Sequence, residues 1–293
     1  MDVLVIGVTG YIGAAVSGHL TAAGHRVIAL TRSAATAPDT RRGDLTDPRS
    51  LVAAVTPDID AVIHVGSPTD ATTDLAAVRA LAEPLHGTGR VLIYTSGTWV
   101  LGPTGVEPVD EDAVTDAIDI VGHRPEVERH ALDTAAHGVR SSMIRPGVAH
   151  GRGGGIPAIL VGLAAEHGGG RYVGPAGVRW PMVHVADLAD LYVAAPERAP
   201  AGTLLHGVGR GIGAGARPRR GRGPRGGRRR GGASPAPRRG AARFGAPFAD
   251  ALALDQAVSG TRARHLLRWN PYRDSAEKSV TGTCAVGSRA RTA

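Results

Sequence analysis

The chain begins with a short apolar run, MDVLVIG, partly β-branched and closed by Gly7, which is the pattern of a parallel strand buried on both faces. A glycine-punctuated turn, GVTGYIG, leads into AAVSGHLTAAG, which has helical spacing and stops at Gly24; HRVIALTR then restores a strand. Strand, turn, helix and strand within the first 32 residues make a βαβ unit. Further apolar runs of strand length follow in IDAVIHVG, GRVLIYTS and SSMIRPG, each entering a polar or glycine-rich turn. Strands alternating with helices predict the α/β class, with a doubly wound parallel sheet.

Gly7, Gly10 and Gly13 are spaced three apart and have separate tasks in that setting. Gly7 permits the tight turn, Gly10 lets the backbone approach a pyrophosphate, and Gly13 lets the helix sit against the strand. The helix N-terminus then offers unpaired N–H groups to phosphate. Flanked by strand, helix and strand, the turn predicts a dinucleotide site in which Gly7, Thr9, Gly10, Tyr11, Ile12 and Gly13 meet the cofactor; the competing reading is a structural turn. The second strand ends Leu30-Thr31-Arg32-Ser33, with no acid. An NAD site offers a carboxylate to the ribose 2′-hydroxyl here, whereas cationic and hydroxyl groups suit a 2′-phosphate. Arg32 and Ser33 therefore favour NADP(H) over NAD(H); an exposed surface arginine is the bland alternative.

Taken together, GVTGYIG, GDLTD, AVIHVGS, VLIYTSGTWVLG and SMIRPGVAHGRGG resemble the short-chain dehydrogenase/reductase superfamily. The nearest match is its extended and atypical branches, the NAD-dependent epimerase/dehydratase proteins, and the resemblance runs in order through residues 1–208. It implies a Rossmann-type sheet of about seven parallel strands with a small C-terminal substrate-binding lobe. The implied Rossmann domain spans 1–150, continued by 182–208, and the lobe spans 151–181 and 241–293. By the same resemblance Asp44 and Leu45 contact adenine, Val65 and Gly66 flank the cofactor's ribose and phosphate, and Thr95 is a further cofactor-binding residue. Pro146, Gly147 and Val148 lie near the nicotinamide. For Asp44, a cap on the helix that begins near Pro48 is an ordinary alternative.

The family's chemistry uses a Ser or Thr to bind the substrate oxygen, a Tyr as proton donor or acceptor, and a Lys four residues later. This is general acid–base catalysis beside a hydride carrier. In register with TSGTWVLG, the Ser position falls on Gly97, with Thr95, Ser96 and Thr98 beside it. Registering Glu126 and Glu128 on the family's helix puts Ile120 in the Tyr position and Arg124 in the Lys position; a one-residue slip gives Val121 and Pro125. The usual triad is missing. Ser96 or Thr98 is expected to orient the substrate oxygen, Arg124 to hold the ribose, and His123 to relay the proton, because imidazole titrates near neutrality. Against this, arginine is permanently charged, and a histidine at a helix start is commonly just a surface residue. Tyr94 is expected to point into the sheet. Downstream, Arg179, Trp180 and His184 are expected to line the substrate pocket. A packed core tryptophan is the alternative for Trp180, and Asp187 is expected to cap the following helix.

Composition changes the picture in one place. The formal charge of +8 and the pI of about 10.6 ordinarily point to polyanionic partners. Residues 209–240, however, hold eleven arginines and no carboxylate, so the rest of the chain is net acidic. This Arg/Gly/Pro-rich segment is expected to be disordered, and two readings compete for it. One is an arm that binds nucleic-acid phosphates. The other is a translated reading-frame slip in GC-rich coding DNA, a composition that Lys278 as the sole lysine also suggests. No Phe or Tyr interrupts the tract to stack on bases, which weighs against nucleic acid as a partner. A single cysteine, Cys284, excludes an intrachain disulfide and a cysteine-based metal cluster, and no metal site is expected. No apolar run approaches bilayer length, so a cytoplasmic location without a membrane partner is expected. The expected function is an NAD(P)-dependent oxidoreductase or epimerase of a small carbonyl, hydroxyl or sugar-like substrate, with a homodimer as the assembly that relatives commonly form. The alternative is a non-catalytic NADP(H)-binding redox sensor, which the missing triad favours.

Overall fold

The computed structural model describes residues 1–33, 38–66, 70–166, 177–209, 212–214 and 245–273. Strand β1 (Asp2–Ile6) lies at the centre because both of its faces are apolar. Val3 and Val5 enter one core, Leu4 and Ile6 the other, as the two-residue period of a strand dictates. Around it are β2 (Arg26–Thr31), β3 (Thr40–Arg42), β4 (Ala61–His64), β5 (Val91–Thr95), β6 (Arg140–Pro146) and β9 (Thr203–Gly207). Their order is β3-β2-β1-β4-β5-β6-β9, and every pairing is parallel.

The chain winds outward through β2 and β3, returns to β4, and winds the other way. The direction therefore reverses between β1 and β4, where Ile6 stands in register with His64. Helices α2 (Pro48–Ala54), α3 (Ala71–Ala82) and α4 (Arg124–Asp133) cover one face. Helices α1 (Tyr11–Ala22) and α6 (Val185–Arg198) cover the other, joined by Ala263, Leu267 and Trp269 from the C-terminal part. This is the doubly wound Rossmann-type α/β architecture that the sequence predicts, and ligands of such sheets sit at the reversal, beyond the carboxyl ends of the strands.

A second sheet holds β7 (Val148–Gly151), β8 (Arg179–His184) and β10 (Ile212–Ala214), with β7 parallel and β10 antiparallel to β8. Helices α5 (Gly155–Glu166) and α7 (Ala246–Leu252) accompany it. The stretch RARHLLRW supplies α8 (Thr261–Leu267), and Arg198 of α6 donates to the Leu267 carbonyl at 3.0 Å. Of the arginine-rich segment 209–240, only residue 209 and β10 are within the described residues; its remainder, like residues 274–293, lies outside them.

One expected helix cap is corrected, and the cap offered as an alternative role for Asp44 is absent. The residue that caps α6 is His184, whose Nδ1 accepts from the Ala186 N–H at 3.2 Å. Asp187 stands within the first turn, and its carboxylate is taken by the Arg273 guanidinium at 2.6 Å and the Arg273 N–H at 3.1 Å. Asp44 does not cap α2 either. Its Oδ1 accepts from the Thr46 N–H at 2.9 Å and the Thr46 hydroxyl at 2.8 Å, and Asp47 precedes the helix.

Candidate cofactor and substrate site

At the reversal, the end of β1 nearly touches the end of β4. Gly7 has φ +90°, and a Cβ there would stand 2.8 Å from the Gly66 nitrogen and 2.9 Å from the Val65 oxygen. A Cβ on Gly13 would lie 1.9 Å from the Gly7 carbonyl oxygen, so α1 packs on the turn only because that atom is missing. Gly10 opens α1 without a side-chain cap, and the first turn carries no acid. The helix N-terminus therefore presents its partial positive charge and unclaimed N–H groups at the crevice, the arrangement that suits a phosphate. Thr9 and Gly10 are exposed there, while Ile12 packs on the core. Tyr11 turns aside, donating from its hydroxyl to the Gly151 carbonyl at 2.7 Å, and burial pushes its pKa up to about 12.

At the end of β2, Arg32 and Ser33 are exposed, and the Ser33 N–H is held by the Thr31 hydroxyl at 3.2 Å. Thr31 stands in register with Arg42 of β3. Arg42 is exposed and makes no ion pair among the described residues, so two guanidinium groups share this corner. Sequence reading missed Arg42, because only the β2–β3 register brings it there. The neighbouring Asp44 carboxyl is held below the usual carboxylate range, first by the Thr46 N–H and hydroxyl and then by the charge of Arg32. Leu45 packs on the α2–α3 core.

At the other end of the crevice, Thr95 closes β5. Its hydroxyl pairs with the Tyr192 hydroxyl of α6 at 2.6 Å, and its carbonyl accepts from Arg124 Nη1 at 3.1 Å. Arg124 thus reaches from the start of α4 back over the strand ends. Ser96 is buried, and its hydroxyl has no hydrogen-bond partner. Thr98 is buried in a short 3₁₀ turn, its carbonyl accepting from Gln256 Nε2 at 2.7 Å. Ile120 is 38% exposed and has no polar group to offer. Tyr94 points into the sheet's α3 side, and its hydroxyl donates to Oδ2 of the fully buried Asp74 at 2.7 Å. His123 Nε2 lies 3.4 Å from that same oxygen. Beneath, Glu128 and Arg145 form a buried two-pronged ion pair at 3.0 and 2.6 Å.

Residues 3–204 match the model of the NAD dependent epimerase/dehydratase family. The chain belongs to that family. It is 32% identical over 227 residues to the uncharacterized Saccharomyces cerevisiae protein YLL056C, covering 71% of this chain and 75% of that one. It is also 32% identical over 235 residues to a 3-diazoavenalumate denitrifying reductase of Streptomyces, covering 70% of this chain and 75% of that one. Among solved structures, human epimerase family protein SDR39U1 with NADPH superposes with a TM-score of 0.68 at 22% identity, over 94% of this chain and 95% of that one.

In this epimerase/dehydratase-family chain, Pro146 ends β6 beside Gly207 and Val148 opens β7 beside Met182, so Gly147 bridges the two sheets. The three residues expected to line a substrate pocket are engaged in holding the second sheet. Arg179 grips Asp255 through Nε at 3.0 Å and Nη2 at 2.7 Å, and also donates to the Val106 and Gly105 carbonyls. Trp180 is buried, its Nε1 donating to the Leu252 carbonyl at 3.2 Å. His184 caps α6 and stacks edge-on against His150, with ring centroids 5.4 Å apart. No group of three or more potential metal ligands occurs among the described residues, and no described helix is long and apolar enough to cross a membrane.

Proposed function

We propose that this family member is an oxidoreductase or epimerase that prefers NADP(H) and acts on a small carbonyl, hydroxyl or sugar-like substrate. One observation carries the reading: an uncapped helix N-terminus faces the crevice at the sheet reversal, while Arg32, Ser33 and Arg42 gather at the end of β2. The first suits a pyrophosphate and the second a ribose 2′-phosphate. The nearby Asp44 carboxylate is occupied by Thr46. The NADPH held by the human structure and the reductase name of the Streptomyces relative point the same way.

A bound nicotinamide would supply the hydride. Arg124, fixed at the Thr95 carbonyl, is placed to donate to ribose hydroxyls, whereas the unpartnered Ser96 hydroxyl is sealed from solvent and would have to be uncovered to meet a substrate oxygen. Fluorescence titration with NADPH and NADH tests the reading. NADPH is expected to bind more tightly, and Arg32→Ala and Arg42→Ala each to weaken NADPH about tenfold or more, with NADH unchanged. Equal affinities overturn the NADP(H) preference, and no binding of either overturns the whole reading.

The exposed Ile120 in the position where the family places Tyr favours a second reading, a redox sensor. A sensor distinguishes NADP from NADPH and oxidises no NADPH with any aldehyde or ketone offered.

A further inference from the structure

Next to Arg124, four polar side chains from separate elements meet on one face of the sheet. His64 of β4 and Tyr94 of β5 stand in register, with ring centroids 5.8 Å apart. Above them lies Asp74 of α3, fully buried, with His123 from the entry to α4 on its far side. Asp74 Oδ2 takes the Tyr94 hydroxyl at 2.7 Å and faces His123 Nε2 at 3.4 Å. Asp74 Oδ1, His64 Nε2 and His123 Nε2 are all buried without a hydrogen-bond partner. Buried polar atoms are rarely left so, and several together mark a site with a task.

The roles can be separated. His64 Nδ1 accepts from the Gly66 N–H at 3.1 Å, and burial pulls the ring's pKa down to about 4. His64 is thus neutral, with its one proton on Nε2. Burial holds Tyr94 protonated, so its hydroxyl only donates and anchors the carboxylate. Arg124 supplies the local positive charge, felt by both His64 and Tyr94. That leaves His123, the only ring of the set with appreciable exposure, at 21% of its side chain. Its Nε2 is the sealed nitrogen, facing Asp74, which leaves Nδ1 as the nitrogen through which the ring would act.

We propose that Asp74 is a positioning residue that, held by Tyr94, orients His123 as the proton relay in place of the absent tyrosine. The inference rests on the oxidoreductase reading above. When a substrate carbonyl accepts hydride from a reduced nicotinamide, its oxygen needs one proton. The Nδ1–H bond of the His123 imidazolium breaks as the O–H bond forms, the ring is left neutral, and solvent returns the proton. Asp74 remains a carboxylate throughout and stabilises the imidazolium. Asp74 from α3 faces His123 directly, and the cluster behind it, His64 of β4 and Tyr94 of β5, lies in the field of Arg124, with Glu128 a further anion acting on Tyr94.

The test uses the full chain, ¹⁵N-labelled at histidine. In wild type the His123 ring proton facing Asp74 should be protected from exchange, and that protection should be lost in Asp74→Asn and reduced in Tyr94→Phe. On the best substrate from a panel of aldehydes headed by 4-nitrobenzaldehyde, kcat should fall about 10²-fold in Asp74→Asn and in His123→Gln, with NADPH affinity unchanged. The double variant should be no slower than either single one, as expected of residues acting as a unit. A His123→Gln protein that folds, binds NADPH and keeps its kcat overturns the relay, as does a panel with no substrate turned over. NADPH binding without the exchange-protected His123 proton overturns this inference alone. Absence of NADPH binding overturns the cofactor reading on which it rests.

Discussion

The two ends of the crevice are built on different principles. At the β1–β4 end, the work falls to backbone: a turn with φ +90° at Gly7, a close approach at Gly13 and an uncapped helix start at Gly10. At the β5–β6 end, it falls to side chains drawn from α3, α4, α6 and the strands between them. A backbone site depends on what is absent from a few neighbouring residues, whereas a side-chain site depends on what distant residues bring. The first should therefore fail sharply at single atoms and the second by degrees.

The sharpest break is at Gly13. With a Cβ placed 1.9 Å from the Gly7 carbonyl oxygen, Gly13→Ala must push α1 off the turn. NADPH affinity should fall by more than about 100-fold, with several kcal/mol of stability lost. Gly18, on the same helix, has nothing within 4 Å of the Cβ position, so Gly18→Ala should stabilise by about 0.5–1 kcal/mol. If titration and urea unfolding gave the two variants similar values, the backbone account of this end would be wrong.

At the side-chain end, the largest effect should come from splitting the Glu128–Arg145 pair, both of whose partners are only 4% exposed. Glu128→Leu leaves an uncompensated guanidinium in the interior, and a loss of about 3–5 kcal/mol is expected by urea unfolding. NADPH affinity should change far less than in Gly13→Ala. A comparable loss of affinity would mean that the two ends are one cooperative unit.

That contrast also explains what the sequence made legible. Gly7, Gly10 and Gly13 are contiguous with the elements they join, so their spacing reported both strand and turn. Individual strands followed from apolar runs for the same reason, whereas the count of about seven came with the family resemblance. Arg42 was invisible because its place beside Thr31 depends on register between strands. Asp74 was invisible because nothing in TTDLAAV distinguishes a helix-surface carboxylate from one that Tyr94 and His123 share. Asp187 looked like a cap by residue type, yet the fold brings Arg273 to it from the far end of the described chain and leaves capping to His184. Local rules cannot rank two acceptors when a distant cation decides.

Acidity should probe the side-chain end next. Burial lowers the folded pKa of His64 and His150 to about 4 and of His206 to about 3, against 6.5 for a free ring. Between these values the unfolded chain binds more protons than the folded one. The stability is therefore present above pH 6.5 and drains as pH falls towards the folded values, by up to about 1.4 kcal/mol per pH unit for each ring. Glu111, raised by burial, works in the opposite sense and offsets part of it. Urea unfolding at several pH values between neutrality and pH 5 measures the slope, and His64→Gln should flatten it by about one ring's share. An unchanged slope would mean that His64 is not buried as the neutral form.

The smallest effect falls on Thr95, which closes β5 at the side-chain end. Thr95 bonds Tyr192 through its hydroxyl at 2.6 Å and Arg124 through its carbonyl at 3.1 Å, so one residue ties α6 to α4. Tyr192→Phe should cost about 1 kcal/mol, because it strands the Thr95 hydroxyl; Thr95→Val should cost somewhat more, because the fully buried Tyr192 hydroxyl is then alone. Making both changes removes donor and acceptor together, and the double variant should lie close to the milder single one rather than at their sum. Thr95 holds Arg124 through its main chain, which neither change alters. NADPH affinity should therefore stay within about twofold across all three variants, well short of the tenfold that 1.4 kcal/mol would give. A tenfold loss in Tyr192→Phe alone would show that the α6 contact sets the position of the Thr95 carbonyl, and through it that of Arg124.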